Sequence, residues 1–263
     1  MLSLSHLKKL QPVILLFVLL FSHTLLAARA LPEFKAAYAV QKFGMKLAEA
    51  HYQLSYTDAG YKFTQNTELY GFASLFADDS ISAFSLINTA GDNLLLTKYH
   101  FVQTGSDTNE NEDIDILWNT YKNTLKGEIT GVVKGKKINV TTDTEIWEAL
   151  SFQIPLMIEA KKDVKEYPYK AILDGEIDTY NFVLTSSEKI GFAGKQYQSL
   201  HVVRSDPVKD RKLHIWLLPE LHNIPVIVEN YRDGKLHSRL QLESIQFGNA
   251  KPLIESRAED DDF

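Results

Sequence analysis

The sequence predicts a mainly β fold: a curved antiparallel meander sheet or partly open barrel, with one amphipathic helix packed on it. Three observations carry this expectation. Apolar and polar residues alternate with period two through most of the chain beyond residue 30, the mark of strands with one face buried. The alternating runs come in pairs joined by short turns rich in Gly and Asp, and connections that short join antiparallel neighbours. One segment abandons the alternation for helical spacing.

The chain opens differently. Lys8 and Lys9 precede an apolar run from Val13 to Phe21, and Ala28-Arg29-Ala30 forms an Ala-x-Ala cleavage signature. Together these read as a secretory signal peptide over residues 1–30, cut after Ala30. The run is too short to span a bilayer comfortably, because a spanning helix needs about 20 apolar residues. No stable transmembrane span is expected after processing, and the localisation expected is periplasmic.

A single β-rich domain is expected over residues 31–250. "MKLAEAHYQLSYT" meets "YKFTQNTELY" through Asp58-Ala59-Gly60, and "FSLINT" meets "NLLLTKYHFV" through Ala90-Gly91-Asp92. "EITGVV" meets "KINVTT" through Lys134-Gly135-Lys136, and "YKAIL" meets "EIDTYNFVL" through Asp174-Gly175. The last is a two-residue type I′ signal. "GSDTNENED" (Gly105–Asp113) reads as a solvated acidic loop, since its spacing does not match a calcium loop. Residues 251–263 read as an acidic, disordered tail.

The helical segment is "TDTEIWEALSFQIPLMIEAKK". Thr142 and Glu145 have capping-box spacing. Ile146, Ala149, Leu150, Gln153, Ile154, Met157 and Ile158 then recur at helical intervals, which predicts a helix over about residues 145–161. Pro155 is expected to kink or divide it.

Turn positions also predict a register for the C-terminal strands. A loop at "SDPVKD" sets Arg204 against Arg211 and His201 against His214. A loop at "PELHNI" sets Ile215 against Val228 and His214 against Glu229. A three-residue turn at Arg232–Gly234 sets Tyr231 against Lys235 and Glu229 against His237. One face then collects Leu200, Val202, Leu213, Ile215, Leu217, Val226, Val228, Leu236, Leu240 and Leu242 as core. The other face carries Tyr197, His201, Lys212, His214, Trp216, Glu229, Tyr231, His237 and Arg239.

Composition excludes several chemistries. The chain has no cysteine, which removes disulfides, thiol catalysis and cysteine zinc sites. Losing residues 1–30 removes Lys8, Lys9 and Arg29 and no acid, leaving 25 basic against 34 acidic side chains and a net charge of −9. That balance argues against a nucleic-acid partner and against adsorption to an anionic membrane surface. There is no GxSxG elbow, HExxH or phosphate-cradling glycine loop. The row His201, His214, Glu229 and His237 contains metal-ligating residue types. A flat row across four strands lacks the convergence that zinc needs, so no metal and no cofactor are implied.

The C-terminal half resembles an exported bacterial family, domain of unknown function DUF 3108. The likeness is carried by "WEALSFQIPLMIE" (Trp147–Glu159), by "YNFVL" (Tyr180–Leu184) with Glu188 and a glycine turn after it, and by "LHVVRS" (Leu200–Ser205). Its most specific part is "IWLLPELHNIPVIVE" (Ile215–Glu229), and it is best over residues 145–245. The resemblance implies an exported, mostly antiparallel β fold and supplies no catalytic residues.

These observations favour a non-catalytic periplasmic or envelope protein that binds a partner protein or an apolar molecule. Trp147, Phe152, Met157 and Trp216 are the candidates for lining its groove. A periplasmic hydrolase, metal-assisted through the histidine row, is one alternative. A structural envelope-assembly factor offering edge strands is the other.

Overall fold

The computed structural model describes residues 31–71, 80–105, 110–121, 124–206 and 210–255. The expected signal peptide, the centre of the acidic loop and the last eight residues lie outside them. Fifteen strands form one antiparallel sheet, and two more form a separate hairpin.

The first eight strands are an unbroken meander. They are β1 (Phe34–Lys42), β2 (Met45–Thr57), β3 (Gly60–Leu69), β4 (Ser80–Ala90), β5 (Asn93–Thr104), β6 (Glu112–Tyr121), β7 (Thr124–Val133) and β8 (Lys136–Thr142). A linking segment with helix α1 (Gln153–Glu159) follows. The second meander uses β9 (Glu166–Leu173), β10 (Glu176–Ser186), β13 (Leu200–Asp206), β14 (Arg211–Leu218), β15 (Ile224–Arg232) and β16 (Lys235–Phe247). β11 (Lys189–Phe192) and β12 (Lys195–Gln198) form the separate hairpin, and β17 (Leu253–Ile254) pairs with β16. The four hairpins expected from the turn signals are all present.

The two meanders join where β1 pairs with β16. Open edges remain at β8 and β9. A twisted sheet this wide curls rather than staying flat. Irregularities in register between Ala37 and Tyr38, Leu86 and Ile87, and Trp216 and Leu217 mark bends in three of the strands. The sheet is therefore barrel-like without being closed. Gly131 shows how tightly the strands approach: at φ +157 a Cβ there would stand 2.0 Å from the Asp113 carbonyl oxygen. Only glycine fits that position.

Alternate residues of nearly every strand point inward. Phe34, Leu54, Phe63, Ile87, Leu96, Ile114, Ile129, Phe182, Val202, Ile215, Leu217, Val226 and Leu242 form one apolar core. The linking segment fills the rest with Ile146, Trp147, Leu150, Ile154, Leu156 and Met157.

The helix is shorter than the periodicity predicts. Thr142 does not cap it: its Oγ1 donates to the Thr144 carbonyl at 3.0 Å. Glu145 instead accepts the Leu94 N–H at 2.8 Å. Residues 145–152 are drawn into contacts with strands, and Pro155 falls in the first turn of α1. Its missing N–H needs no partner there, so it starts the helix instead of kinking it. Asn223 closes the other end, its Nδ2 donating to the carbonyls of Met157 and Ala160 at 2.9 and 3.1 Å.

Two carboxylates enter this interior. Glu148 is fully buried and accepts the Ser85 hydroxyl at 2.5 Å and the N–H groups of Leu150 and Ser151 at 2.6 and 3.0 Å. Burial raises its pKa, opposed by those donors. Burial also pushes Glu112 up to about 7, with Lys134 pulling it down and Asp174, Glu148 and Glu110 adding to the rise. A folded value above the ordinary 4.5 means that the stabilisation is full below that pH. It is lost as pH rises towards 7. Glu112→Gln is therefore expected to raise stability at pH 7.5 by about 1 kcal/mol, once solvent screening of this half-exposed group is allowed for. It should change little at pH 4, and denaturant melts at the two pH values check both.

Among the described residues no helix is long and apolar enough to cross a membrane.

Candidate functional site

The histidines share the outer face of β13–β16, but not in the expected row. Asp206, not Arg204, faces Arg211, which sets His201 opposite Trp216. The loop is shorter than the turn signals suggested, and the shift of two residues leaves the core face unchanged. His214 does face Glu229, and Ile215 does face Val228. At the next hairpin Asp233-Gly234, with φ 50° and 71°, forms a two-residue turn rather than the three-residue one. Tyr231 then faces Leu236, Glu229 faces Arg239, and His237 is displaced at a bulge. Leu236 consequently leaves the core face and is 48% exposed.

What results is a packed aromatic strip. His201 stacks on Trp216 with ring centroids 4.1 Å apart and planes 3° apart. Its Nε2 lies 3.0 Å from His214 Nδ1, so one ring donates and the other accepts. Its Nδ1 meets the hydroxyls of Thr185 and Ser186 at 3.1 and 3.3 Å. Trp216 Nε1 donates to Glu188 at 2.6 Å, and the Tyr231 hydroxyl donates to Glu229 at 2.9 Å. Glu229 is buried on this face, with Arg239 3.5 Å away. Burial lowers the pKa of both His201 and His214, and His214 adds to the lowering at His201. Both shifts favour the neutral imidazole, and the mutual hydrogen bond requires that the accepting ring be neutral. Among the described residues no group of three His, Cys, Asp or Glu side chains is placed to hold one metal ion. Tyr197 is buried in the core instead of lying on this face.

The four groove candidates divide between the two faces. Trp147 and Met157 are in the core, and Phe152 stacks on Phe182 with centroids 5.4 Å apart. Trp216 belongs to the outer strip. Trp147 also reaches a groove, the seam of the sheet.

The seam lies between the edges β8 and β9, which do not pair with each other. At one end Lys134 bridges Asp174 at 2.8 Å and also contacts Glu110. Gly175 packs there against the Ile138 side chain. At the other end Lys170 lies 3.6 Å from Asp143. Trp147 makes the single bridge to the β9 edge, its N–H donating to the Lys170 carbonyl at 3.0 Å and its carbonyl accepting the Ile172 N–H at 2.8 Å.

Two adjoining hollows of about 580 and 620 Å³ open along this seam and share Leu125, Asp143 and Lys170. Trp147, Pro168 and Tyr169 line the first, and Thr141, Thr142 and Ile177 the second. The walls set a few apolar side chains, Leu125, Trp147, Pro168, Tyr169 and Ile177, among more numerous polar and charged ones, including Asp143, Glu145 and Lys170. Leu125, Tyr169, Lys170 and Ile177 were not singled out by sequence reasoning. They come from three strands whose proximity depends on how far the sheet curls.

No family model matches this sequence, and no curated protein matches it. Among solved structures, the chain is similar to the beta-barrel-like protein of domain of unknown function DUF1849 from Brucella abortus. The TM-score is 0.53 at 10% identity, over 84% of this chain and all of the other. A likeness at that identity is one of fold, and the fold is β-barrel-like.

Proposed function

We propose that this is an exported, non-catalytic envelope protein that binds an apolar or amphipathic molecule in the seam between β8 and β9. The observation that carries the reading is the pair of adjoining hollows, where Trp147, Leu125 and Ile177 stand beside the charged Asp143 and Lys170. Each hollow falls in the size range of ordinary ligand sites, about 300–1,000 Å³. The signal-peptide pattern and the resemblance to DUF 3108 support export. One observation favours a second reading, an assembly role: apart from the Trp147–Ala171 bridge, β8 and β9 have no strand on their outer sides among the described residues. A partner's strand can pair with such edges.

Export is tested by N-terminal sequencing of the native protein, expected to begin at Leu31. An intact Met1 on a cytoplasmic protein overturns it. Binding is tested by native mass spectrometry and solvent extraction of the protein isolated from the cell envelope. An apolar molecule is expected to co-purify, and Leu125→Glu with Ile177→Glu should reduce its retention at least about tenfold, roughly the loss of 1.4 kcal/mol. Retention equal to the wild type overturns the seam as its site.

A further inference from the structure

Three neighbouring hairpin tips at one end of the sheet carry groups that the fold does not use. Phe43 occupies the first position of the β1–β2 turn, with φ 53° followed by Gly44 at 77°. Bulky residues rarely adopt that left-handed conformation, and Asn is the usual choice in such a turn. The ring gains no burial in return, because Phe43 is 84% exposed. Met45 follows it at 59%, and Leu236 in the adjacent β16 is the residue that the bulge turned outward.

The charges beside these apolar groups are arranged against their own stability. Arg211 lies directly opposite Arg232, and Arg232 directly opposite Lys235. Like charges placed opposite each other across strands are destabilising. No ion pair among the described residues involves any of the three. Lys42 completes the group from β1, its ammonium 5.4 Å from the Phe43 ring centre. Burial lowers the pKa of His237, and the charges that add to the lowering are Arg232, Lys42 and Arg211. The space around that ring is therefore positive. Asp210 and Asp233 occupy left-handed turn positions nearby, where Asp is favoured by its backbone tolerance.

We infer that these tips dock the protein on an anionic phospholipid surface, with Phe43, Met45 and Leu236 entering the headgroup layer and Arg211, Arg232, Lys235 and Lys42 meeting lipid phosphates. Exposed apolar side chains ringed by cations are what an interfacial anchor requires. The net charge of −9 over residues 31–263 does not oppose this, because screening confines the interaction to roughly 8 Å at physiological salt. Only the charges on the docking end then count. The inference is independent of the seam and its ligand.

The test is co-sedimentation of the processed chain with vesicles of phosphatidylcholine alone and of phosphatidylcholine with phosphatidylglycerol. Binding is expected only to the second, weakening as salt rises. Phe43→Asn with Leu236→Ser should lower partitioning at least tenfold. Phe43→Asn alone should raise the melting temperature, since Asn suits the turn, so lost binding cannot be mistaken for misfolding. Arg211→Ser with Arg232→Ser should remove the preference for anionic vesicles. Absence of binding to anionic vesicles, equal binding to both compositions, or variants that bind like the wild type would each overturn the inference.

Discussion

Ile215→Asp is expected to destabilise the fold by about 4 kcal/mol or more at neutral pH, the cost of an unpaired carboxylate in an apolar interior. Ile215 is 1% exposed, between Val202 and Val228 on the neighbouring strands. Those neighbours offer no polar partner, so the new acid must either stay protonated or unfold its surroundings. His214→Ala on the opposite face should cost only about 1 kcal/mol, the loss of one hydrogen bond to His201 and its ring contacts. Denaturant melts of the two variants read the contrast. Comparable losses would mean that the two faces of β14 are exchanged.

Trp147→Ala is expected to cost about 3–5 kcal/mol, the usual range for removing a large buried aromatic side chain. Trp147 is 1% exposed, and its backbone makes the one bridge to the β9 edge. Truncation leaves a cavity beside that bridge, so the effect should reach beyond stability. The amides of Trp147 and Ile172, which bond across the seam, should exchange hydrogen faster in the variant. Phe152→Ala, at a half-buried ring stacked on Phe182, should leave those two amides much closer to their native protection. Equal exchange in both variants would show that the seam does not depend on Trp147.

The strands followed from sequence wherever alternation met a turn signal. Asp174-Gly175 and Lys134-Gly135 adopt the paired left-handed turn that their residues favour, with φ 55° and 82° at the first and 50° and 76° at the second. Local chemistry decides such a hairpin, so the chain shows it without a structure. The same reasoning misjudged Asp233-Gly234 by one residue. That error placed Leu236 on the core face, whereas the actual turn sets it outside, because side chains alternate with a period of two residues. The helix was legible as an apolar segment but not in its extent. An apolar spacing records burial, and Ile146, Trp147, Glu148 and Leu150 are buried inside the curled sheet without being helical.

What the sequence by itself determined is the class of fold, the faces of β13 and β14, and the absence of cysteine chemistry. These depend on neighbours in the chain or on residue identity alone. The tertiary structure decided the pairing of β1 with β16, the meeting of the β8 and β9 edges, and the stacking of His201 on Trp216. Each joins residues through the arrangement of the whole sheet or through a register set by the length of a loop. Curvature is a sum of small twists and irregularities over fifteen strands, and no local stretch of residues records that sum.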